Sequence, residues 1–388
     1  MSAPLRIAHL RLVDAAPLIV AGDLGLAAAE GLTLDLVAAP NWSALRDMLG
    51  SGRVDAAQML SPMPVAMALG LGSMPGAVEA LQVLSVNGDV IGVSPDLAAR
   101  MGPVPFGDAH AAGAALLGAA ERAPVRIGVP FPFSMHAELV HYWLEGSGPT
   151  PGPGAILIRT VPPPLMTEAI EAGEIDAFCV GEPWGSAAVD RGSGVLILPG
   201  SAIWAQAPEK VLAARSGWAE AQPERAGGLM RALHRAGRWL SKPANLPLAA
   251  DLLARPGALD LPAELIERAL TGRLATAAGI QAAVPGFLRF HAGATAFPWR
   301  SQGAWIADRL ARRHGLDRAE AQAAGRRVFR SDLYRRFLGE LAGDMPGASS
   351  KVEGALDRPT LVASRRGTLT LGPDVFFDGR VFEPFPNG

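Results

Sequence analysis

The sequence predicts an α/β protein in which two doubly wound lobes, joined by two crossings, enclose a ligand cleft. The first observation is an internal repeat: Gly52-Arg-Val-Asp55-Ala returns as Gly173-Glu-Ile-Asp176-Ala, and Arg6-Ile-Ala returns as Arg126-Ile-Gly. The second is a regular alternation of strand-like and helical segments, which is typical of parallel sheets flanked by helices. Repeated order and spacing predict two copies of one βαβαβ unit, and two facing lobes form a cleft that suits a small ligand.

The first copy begins almost at the N-terminus. Its strands are expected at residues 6–10, 32–37 and 54–60. Asp14 is predicted to cap a helix over residues 15–30, with Pro17 in the first turn, where the missing N–H costs nothing. Asn41 or Ser43 is predicted to cap the next helix, which closes near Gly50.

The second copy follows the same order. Its strands are expected at residues 126–129, 155–161 and 175–180. Ser134 is predicted to cap a helix that carries His136, and a second helix is expected over residues 165–172. Ligands of such sheets bind beyond the carboxyl ends of the strands, so the loops there are where a site is expected.

Two apolar, strand-like segments connect the copies and set the predicted domain limits. Residues 81–93 fit a crossing into the second lobe, and residues 209–214 fit the return. The segments that follow residue 220 have a helical pattern and are expected to complete the first lobe. The predicted division is lobe one at 1–88 and 215–345, lobe two at 89–214, and a C-terminal arm at 346–388 packed on the body.

Composition excludes several classes of function. The chain has 388 residues, 49% of them apolar and 19% charged, with a net charge of −2. This balance lacks the basic excess that drives nucleic-acid binding. A single cysteine, Cys179, excludes an internal disulfide and a cysteine-based zinc site, and no metal or cofactor is predicted. No signal-peptide pattern or membrane-spanning apolar run is present, so a cytoplasmic location is expected.

Three residues are candidates for binding a small anion. Trp42 lies in a strand-to-helix loop and is expected at the cleft mouth, although a core-edge role is equally compatible. His136 lies in the first turn of a helix, where free N–H groups and the helix dipole suit an anion, although a capping or core histidine fits as well. Lys210 lies on the return crossing and is expected to face the cleft, with a solvated lysine as the alternative. Together they offer polar donors and one aromatic wall.

Catalytic patterns are weak. The sequence lacks a nucleophile elbow, a phosphate-binding loop and a zinc-binding helix motif. Glu182 is a possible general base, but a structural role is favoured. The Arg-rich segment 309–336 indicates a solvated helical face. A surface for a protein partner is a less favoured alternative, and an RNA contact is the least favoured. We therefore do not expect an enzyme.

Several motifs together resemble a known family, the nitrate- and bicarbonate-binding proteins of ABC importers. The motifs are Asp14-Ala-Ala-Pro-Leu, Trp42-Ser-Ala-Leu-Arg-Asp, Asp55-Ala-Ala-Gln-Met-Leu-Ser-Pro, Phe178-Cys-Val-Gly-Glu-Pro-Trp and Pro208-Glu-Lys. The resemblance covers most of residues 5–345 and implies a type II periplasmic-binding-protein fold. Within the family, the Lys351-Val-Glu-Gly and Phe376-Phe-Asp-Gly-Arg segments look most like the cytoplasmic, NasS-like nitrate/nitrite sensors.

The resemblance implies an anion pocket as well as a fold. The tryptophan, histidine and lysine of the family's nitrate site match Trp42, His136 and Lys210, whereas its glutamine falls on Asp89. An ionised carboxylate beside nitrate would cost on the order of several kcal/mol. Asp89 is therefore expected to point away, to be protonated, or to pair with Lys210 or His136; otherwise the ligand is not nitrate.

The leading functional prediction is a cytoplasmic nitrate/nitrite sensor that controls an ANTAR-type antiterminator. The expected partners are the anion and that protein, without direct contact to nucleic acid or membrane. The alternative is the solute-binding component of a nitrate/nitrite or bicarbonate ABC transporter. A small-molecule enzyme on the same fold is a third, weaker reading.

Overall fold

The computed structural model describes residues 3–72, 77–149 and 151–384. In these residues the strands are β1 Leu5–His9, β2 Leu34–Ala38, β3 Ala56–Leu60, β4 Val78–Asn87, β5 Asp89–Val93, β6 Val125–Val129, β7 Ile156–Thr160, β8 Ala177–Gly181, β9 Val195–Pro199, β10 Pro208–Arg215, β11 Arg273–Ala277, β12 Ile280–Ala283, β13 Leu288–Arg289, β14 Thr360–Ala363 and β15 Thr368–Leu371. The helices are α1 Ala16–Asp23, α2 Trp42–Gly50, α3 Pro62–Ala68, α4 Pro95–Met101, α5 Ala109–Arg122, α6 Met135–Ser147, α7 Met166–Glu171, α8 Trp184–Asp190, α9 Trp218–Ala221, α10 Pro223–Leu240, α11 Leu246–Ala254, α12 Ala263–Thr271, α13 Arg300–His314, α14 Arg318–Val328 and α15 Ser331–Leu338. None of these helices is both long and apolar enough to cross a bilayer.

The two main sheets have the same architecture, which confirms the predicted two-lobed α/β fold. The first sheet has the order β13-β4-β10-β3-β1-β2, and the second has the order β7-β6-β8-β5-β9. In the first, β1 is parallel to β2 and β3, and β10 lies antiparallel between β3 and β4. In the second, β6 is parallel to β7 and β8, and β5 lies antiparallel between β8 and β9. Each sheet is therefore completed by an antiparallel strand, β10 or β5, that follows a crossing of the chain from the other lobe.

The repeated sequence motif has the same structural role in both lobes. The Asp55 carboxylate accepts from the backbone N–H of Arg6 at 2.9 Å, and the Asp176 carboxylate accepts from the backbone N–H of Arg126 at 2.8 Å. In each copy the aspartate N–H also donates to the carbonyl of the same arginine. The glycine at the start of the motif has a positive φ, +76° in the first copy and +67° in the second, which favours glycine. The motif thus ties the start of the third strand to the first.

The predicted boundary at residue 214 lies inside a strand of the first lobe. Residues 208–214 belong to β10, which pairs with β3 and β4 over most of its length. The return crossing itself is the segment 200–207, which precedes the strand. The apolar pattern of 209–214 predicted the return crossing, whereas the segment is a buried strand of the first sheet, because strand pairing is a long-range property.

The segment 215–345 is also not confined to the first lobe. The β11–β12 hairpin interrupts the expected run of helices, and Leu274 and Ala275 of β11 share a hydrophobic cluster with Phe178 and Leu196 of the second lobe. The hairpin covers apolar surface that the shorter second lobe does not cover by itself. The predicted division is therefore incorrect at this element.

The C-terminal arm packs against both lobes. Phe376 stacks on Trp204 of the second lobe, with ring centroids 4.9 Å apart, and on Trp305 of α13, at 5.7 Å. The arm also forms the β14–β15 hairpin. Its contacts place the arm across the region where the chain returns to the first lobe.

Part of the Arg-rich segment joins the lobes. Arg309 of α13 in the first lobe forms a two-pronged ion pair with Glu145 of α6 in the second, with distances of 2.9 and 2.8 Å. Arg313 pairs in the same way with Glu138, which is fully buried. The predicted solvated face is thus wrong for these two arginines, because their partners come from a distant part of the chain.

Candidate functional site

Lys210 lies at the centre of a buried polar cluster between the two lobes. Its ammonium is 2.7 Å from an Asp14 carboxylate oxygen and 2.6 Å from Glu209 Oε1. Successive strand residues normally point to opposite faces, but the pairing of β10 with β4 shifts register around Lys210, so that Glu209 and Lys210 contact each other. Burial opposes charge on Lys210, but the two carboxylates outweigh it and raise the pKa of Lys210 to about 12.

Asp14 has a different role from the predicted one. It lies in a 3₁₀ turn before α1, and its side chain does not cap the helix. Instead it pairs with Lys210 and accepts a hydrogen bond of 2.7 Å from Gln58 Nε2 on β3. Asp14 therefore fixes the position of the lysine ammonium, a contact that links residues far apart in sequence.

Trp42 forms one side of the cluster. Asn41 caps α2 by accepting from Ala44 N at 2.8 Å, which places Trp42 at the first helical position. Its ring centroid is 5.4 Å from Lys210 Nζ, and its indole N–H has no partner among the described residues. Trp42 is only 1% exposed, so it lies deeper than the predicted cleft mouth.

The mouth of the cleft is lined by residues from both lobes. A cavity of about 310 Å³ lies between residues 10–12 and 38–40 of the first lobe and Pro163 and Pro164 of the second. Leu12 lines this outer cavity, and it belongs to the same hydrophobic core as Trp42. The cluster itself is enclosed in this conformation, since Lys210 and His136 are both 0% exposed.

His136 approaches from the second lobe. Ser134 caps α6 by accepting from Ala137 N at 3.1 Å, and this places His136 in the first turn. Its Nδ1 lies 3.3 Å from Glu209 Oε1, but neither ring nitrogen makes a hydrogen bond to a described residue. Burial and the Lys210 charge hold the pKa of His136 well below its usual range. The ring is therefore neutral at physiological pH and can offer one N–H donor.

Asp89 also points into the cluster. It is the first residue of β5, opposite Gly181 of β8, and its side chain is 0% exposed. Cys179 Sγ lies 3.7 Å from Asp89 Oδ2, whereas Oδ1 has no partner among the described residues. Burial and the nearby Glu209 carboxylate raise the pKa of Asp89 to about 7. The described contacts include no ion pair from Asp89 to Lys210 or His136, and the raised pKa favours protonation among the sequence-based alternatives.

One group in the cluster could in principle hold a metal ion. Donor atoms of Asp89, His136 and Glu209 all lie within 4.8 Å of one another, and all three residues are buried. However, Lys210 Nζ is 2.6 Å from Glu209 and already supplies a fixed positive charge there. A second cation would be repelled by that ammonium, so we do not assign the group to a metal.

The structure thus brings together all four residues selected from the sequence: Trp42, Asp89, His136 and Lys210. Sequence reasoning missed four of their neighbours, namely Asp14, Gln58, Cys179 and Glu209. The sequence could have indicated Glu209 as a site residue, since it stands beside Lys210 in an otherwise apolar strand. It indicates Gln58 and Cys179 more weakly, because these two residues occupy equivalent positions in the two copies of the repeated motif.

Two similar α/β lobes with a buried polar cluster between them are the architecture of the periplasmic-binding-protein fold. The model of the NMT1-like family matches residues 2–254, and the chain belongs to that family. The chain is similar over its length to the crystal structure of the periplasmic nitrate-binding protein NrtA from Synechocystis PCC 6803. The TM-score is 0.85 and the sequence identity 25%, covering 98% of this chain and 95% of NrtA.

Curated relatives agree with this assignment. The nitrate/nitrite binding protein NrtA of Synechococcus elongatus is 29% identical over 97% of this chain and 83% of its own length. The nitrate import ATP-binding protein NrtC of Synechocystis sp. is 33% identical over 88% of this chain, which spans about half (51%) of NrtC. The NrtA homologues are solute-binding proteins rather than enzymes.

Proposed function

We propose that this chain is the solute-binding component of a nitrate/nitrite ABC importer and holds the anion between its lobes. The observation that carries the proposal is the convergence of Lys210, the free indole N–H of Trp42 and the neutral His136 ring in one buried cluster. The NrtA relatives, named as nitrate- or nitrate/nitrite-binding proteins, support the same ligand. The proposed partners are the membrane components of such an importer.

The pocket suits a small planar oxyanion. Lys210 supplies the positive charge, while Asp14 and Glu209 fix the position of its ammonium. Trp42 and His136 supply neutral N–H donors, which stabilise an anion without adding a second charge. The cluster is shielded from bulk solvent, and this strengthens each of these hydrogen bonds.

Calorimetry with nitrate, nitrite and bicarbonate tests the proposal. The parent protein should bind nitrate and nitrite, and Lys210→Ala should lose at least about 100-fold in affinity, because a charged hydrogen bond and its charge are removed. Lys242→Ala is the matched control, since Lys242 is exposed and lies outside the cluster. Unchanged nitrate binding in Lys210→Ala would reject the pocket, and binding of bicarbonate alone would reject the ligand.

Trp42→Phe is a second, less disruptive variant. It is needed because Lys210→Ala leaves Asp14 and Glu209 buried without their cation and could prevent folding. Trp42→Phe keeps an aromatic wall and removes only the indole N–H. The loss of one hydrogen bond to the anion should weaken nitrate binding roughly 5- to 10-fold. Equal affinity in parent and variant would show that Trp42 does not donate to the ligand.

The sensor remains an alternative proposal, and a cytoplasmic location belongs to it. The comparisons support the importer component better. The segments that suggested the sensor also have a structural explanation, because Lys351 pairs with Asp374 and Phe376 packs against Trp204 and Trp305. A stable complex with an ANTAR-type antiterminator that nitrate dissociates would favour the sensor over the importer.

A further inference from the structure

The charge of the buried cluster does not suit an anion when all its carboxylates are ionised. Lys210 supplies one positive charge, whereas Asp14, Glu209 and Asp89 supply up to three negative charges. Asp14 and Glu209 both contact the Lys210 ammonium, but Asp89 does not. Asp89 is therefore the carboxyl group whose charge state decides whether an incoming anion is repelled.

Burial and the Glu209 carboxylate favour a neutral Asp89 carboxyl group, and they outweigh the Lys210 charge and the Cys179 S–H donor, which favour the carboxylate. Glu209 on β10 and His136 on α6 have donor or acceptor atoms within 4.8 Å of it, and Lys210 on β10 is engaged by other carboxylates. Cys179 on β8 lies against Oδ2. A Cβ on Gly200 would lie 2.5 Å from both carboxyl oxygens, so the group packs tightly against backbone.

One atom of this carboxyl group remains available. Asp89 Oδ1 is buried and has no hydrogen-bond partner among the described residues, and the same holds for both ring nitrogens of His136. A carboxylic acid can donate one hydrogen bond, as a side-chain amide does, whereas a carboxylate can only accept. A protonated Asp89 can thus take the place of the amide that the family resemblance implies at this position.

We propose that Asp89 binds the anion as a neutral carboxylic acid that donates its O–H, so that the pocket takes up nitrate together with one proton. This inference rests on the proposed nitrate/nitrite function and adds a proton to it. The only bond that changes is an O–H bond: a hydronium ion or buffer acid in the solvent loses a proton, and that proton forms the O–H of Asp89 as the anion enters. The anion itself then accepts the hydrogen bond.

The raised pKa of Asp89, about 7, sets the pH window. Below that pH the group is already neutral in the empty protein, and binding needs no proton. Above it each binding event must take up a proton, so nitrate affinity should fall about tenfold per pH unit. Nitrate stays an anion throughout this range, which makes it the appropriate probe.

Calorimetry of nitrate binding in buffers of different ionisation enthalpy measures the proton uptake directly. The full-length parent should take up close to one proton per nitrate at about pH 8 and almost none at about pH 5.5. Asp89→Asn, which is neutral at every pH and keeps a donor, should bind nitrate with no proton uptake. At about pH 8.5 it should bind at least about tenfold more tightly than the parent.

Glu182→Gln is the matched control. Glu182 is a second buried carboxyl with a pKa raised to about 7, but its contacts are with Ser186 rather than with the cluster. This variant should keep the pH slope of the parent. If the slope disappears in Glu182→Gln and persists in Asp89→Asn, the proton belongs to another group and the inference is wrong.

The remaining outcomes are also decisive. Zero proton uptake by a nitrate-binding parent at pH 8 overturns the inference and leaves the proposed function intact. Nitrate binding that requires an added divalent cation and is abolished by a chelator also overturns the inference and leaves the proposed function intact, because a metal would then supply the positive charge. Failure of folded parent and Asp89→Asn to bind nitrate or nitrite at any pH would instead reject the proposed function.

Discussion

Glu182 illustrates how a single buried group changes the pH response of the protein. Its carboxyl group accepts from the backbone N–H of Ser186 at 3.1 Å and from the Ser186 hydroxyl at 3.1 Å. These hydrogen bonds engage the Glu182 carboxyl group at the start of α8, which supports the structural role favoured from the sequence. Burial raises its pKa to about 7, so the folded protein binds a proton that the unfolded chain has already lost near neutral pH.

The pKa of Glu182 is higher in the folded protein than the ordinary value of 4.5, so protonation of Glu182 stabilises the fold. This contribution to the free energy of unfolding is fully present below about pH 4.5 and is lost as the pH rises towards 7. Between about pH 5.5 and pH 8, we predict that the free energy of unfolding falls by about 2 kcal/mol less in Glu182→Gln than in the parent. Urea unfolding of both proteins at the two pH values measures this difference. The exposed Glu168→Gln should match the parent, and equal falls in parent and Glu182→Gln would contradict the prediction.

At the residue scale, the sequence predicted which side chains meet but not how they are held. Trp42 and His136 were found because each stands at a helix start, and local capping patterns reveal such positions. Asp14 has the same local signature, yet its carboxylate pairs with Lys210 instead. An ion pair across so many residues, and a strand irregularity beside Glu209, leave no local pattern to detect.

The C-terminal arm is the element that most clearly joins the two lobes. Phe376 is 3% exposed and contacts rings from three separate helices or turns, including Tyr142 at 5.0 Å. Tyr142 in turn donates a hydrogen bond of 2.9 Å to Asp378 of the arm. The arm is thus part of the core rather than a surface appendage.

We predict that Phe376→Ala lowers the free energy of unfolding by about 3–5 kcal/mol, because it leaves a cavity beside Trp204 and Trp305, whose rings contact each other. Chemical denaturation, followed by tryptophan fluorescence, measures the change. Leu361→Ala in the same arm is the control, since Leu361 is 69% exposed and its truncation should change stability by less than about 0.5 kcal/mol. A similar effect of the two substitutions would show that the arm is not a structural part of the core.

Element prediction succeeded where the periodicity was regular and failed where it was short. The repeated βαβαβ segments were recognised because two copies carry the same order of capping residues and apolar strands. The β11–β12 hairpin was overlooked because its strands are short and partly exposed, so they give little alternation. Its packing on the second lobe depends on tertiary contacts alone.

At the scale of the whole molecule, the α6–α13 interface joins the lobes through two arginine–glutamate pairs. Glu138 has no exposed surface and pairs with Arg313, whose side chain is 18% exposed. Arg309 and Glu145 form the second pair, in which Glu145 is 46% exposed. Because α6 also carries His136, these contacts link the relative position of the lobes to the geometry of the pocket.

We predict that Arg313→Met weakens nitrate binding at least about tenfold, because it leaves Glu138 buried without a partner and disfavours the closed arrangement. Calorimetry measures the affinity, and circular dichroism checks that the variant is folded. Arg312→Met is the control on the same helix, since Arg312 pairs with Asp308 within α13 and is half exposed. Equal affinities of the two variants would mean that the interlobe pair does not influence the pocket.

The enclosure of the anion pocket has a consequence for timing. With Lys210 and His136 wholly shielded, an anion that occupies this site has no path to solvent until the lobes part. Its residence time is then set by the opening rate rather than by the strength of any one contact in the pocket. On the proposed import function, the anion is delivered only as quickly as the lobes open, and a partner that opens them would control that rate.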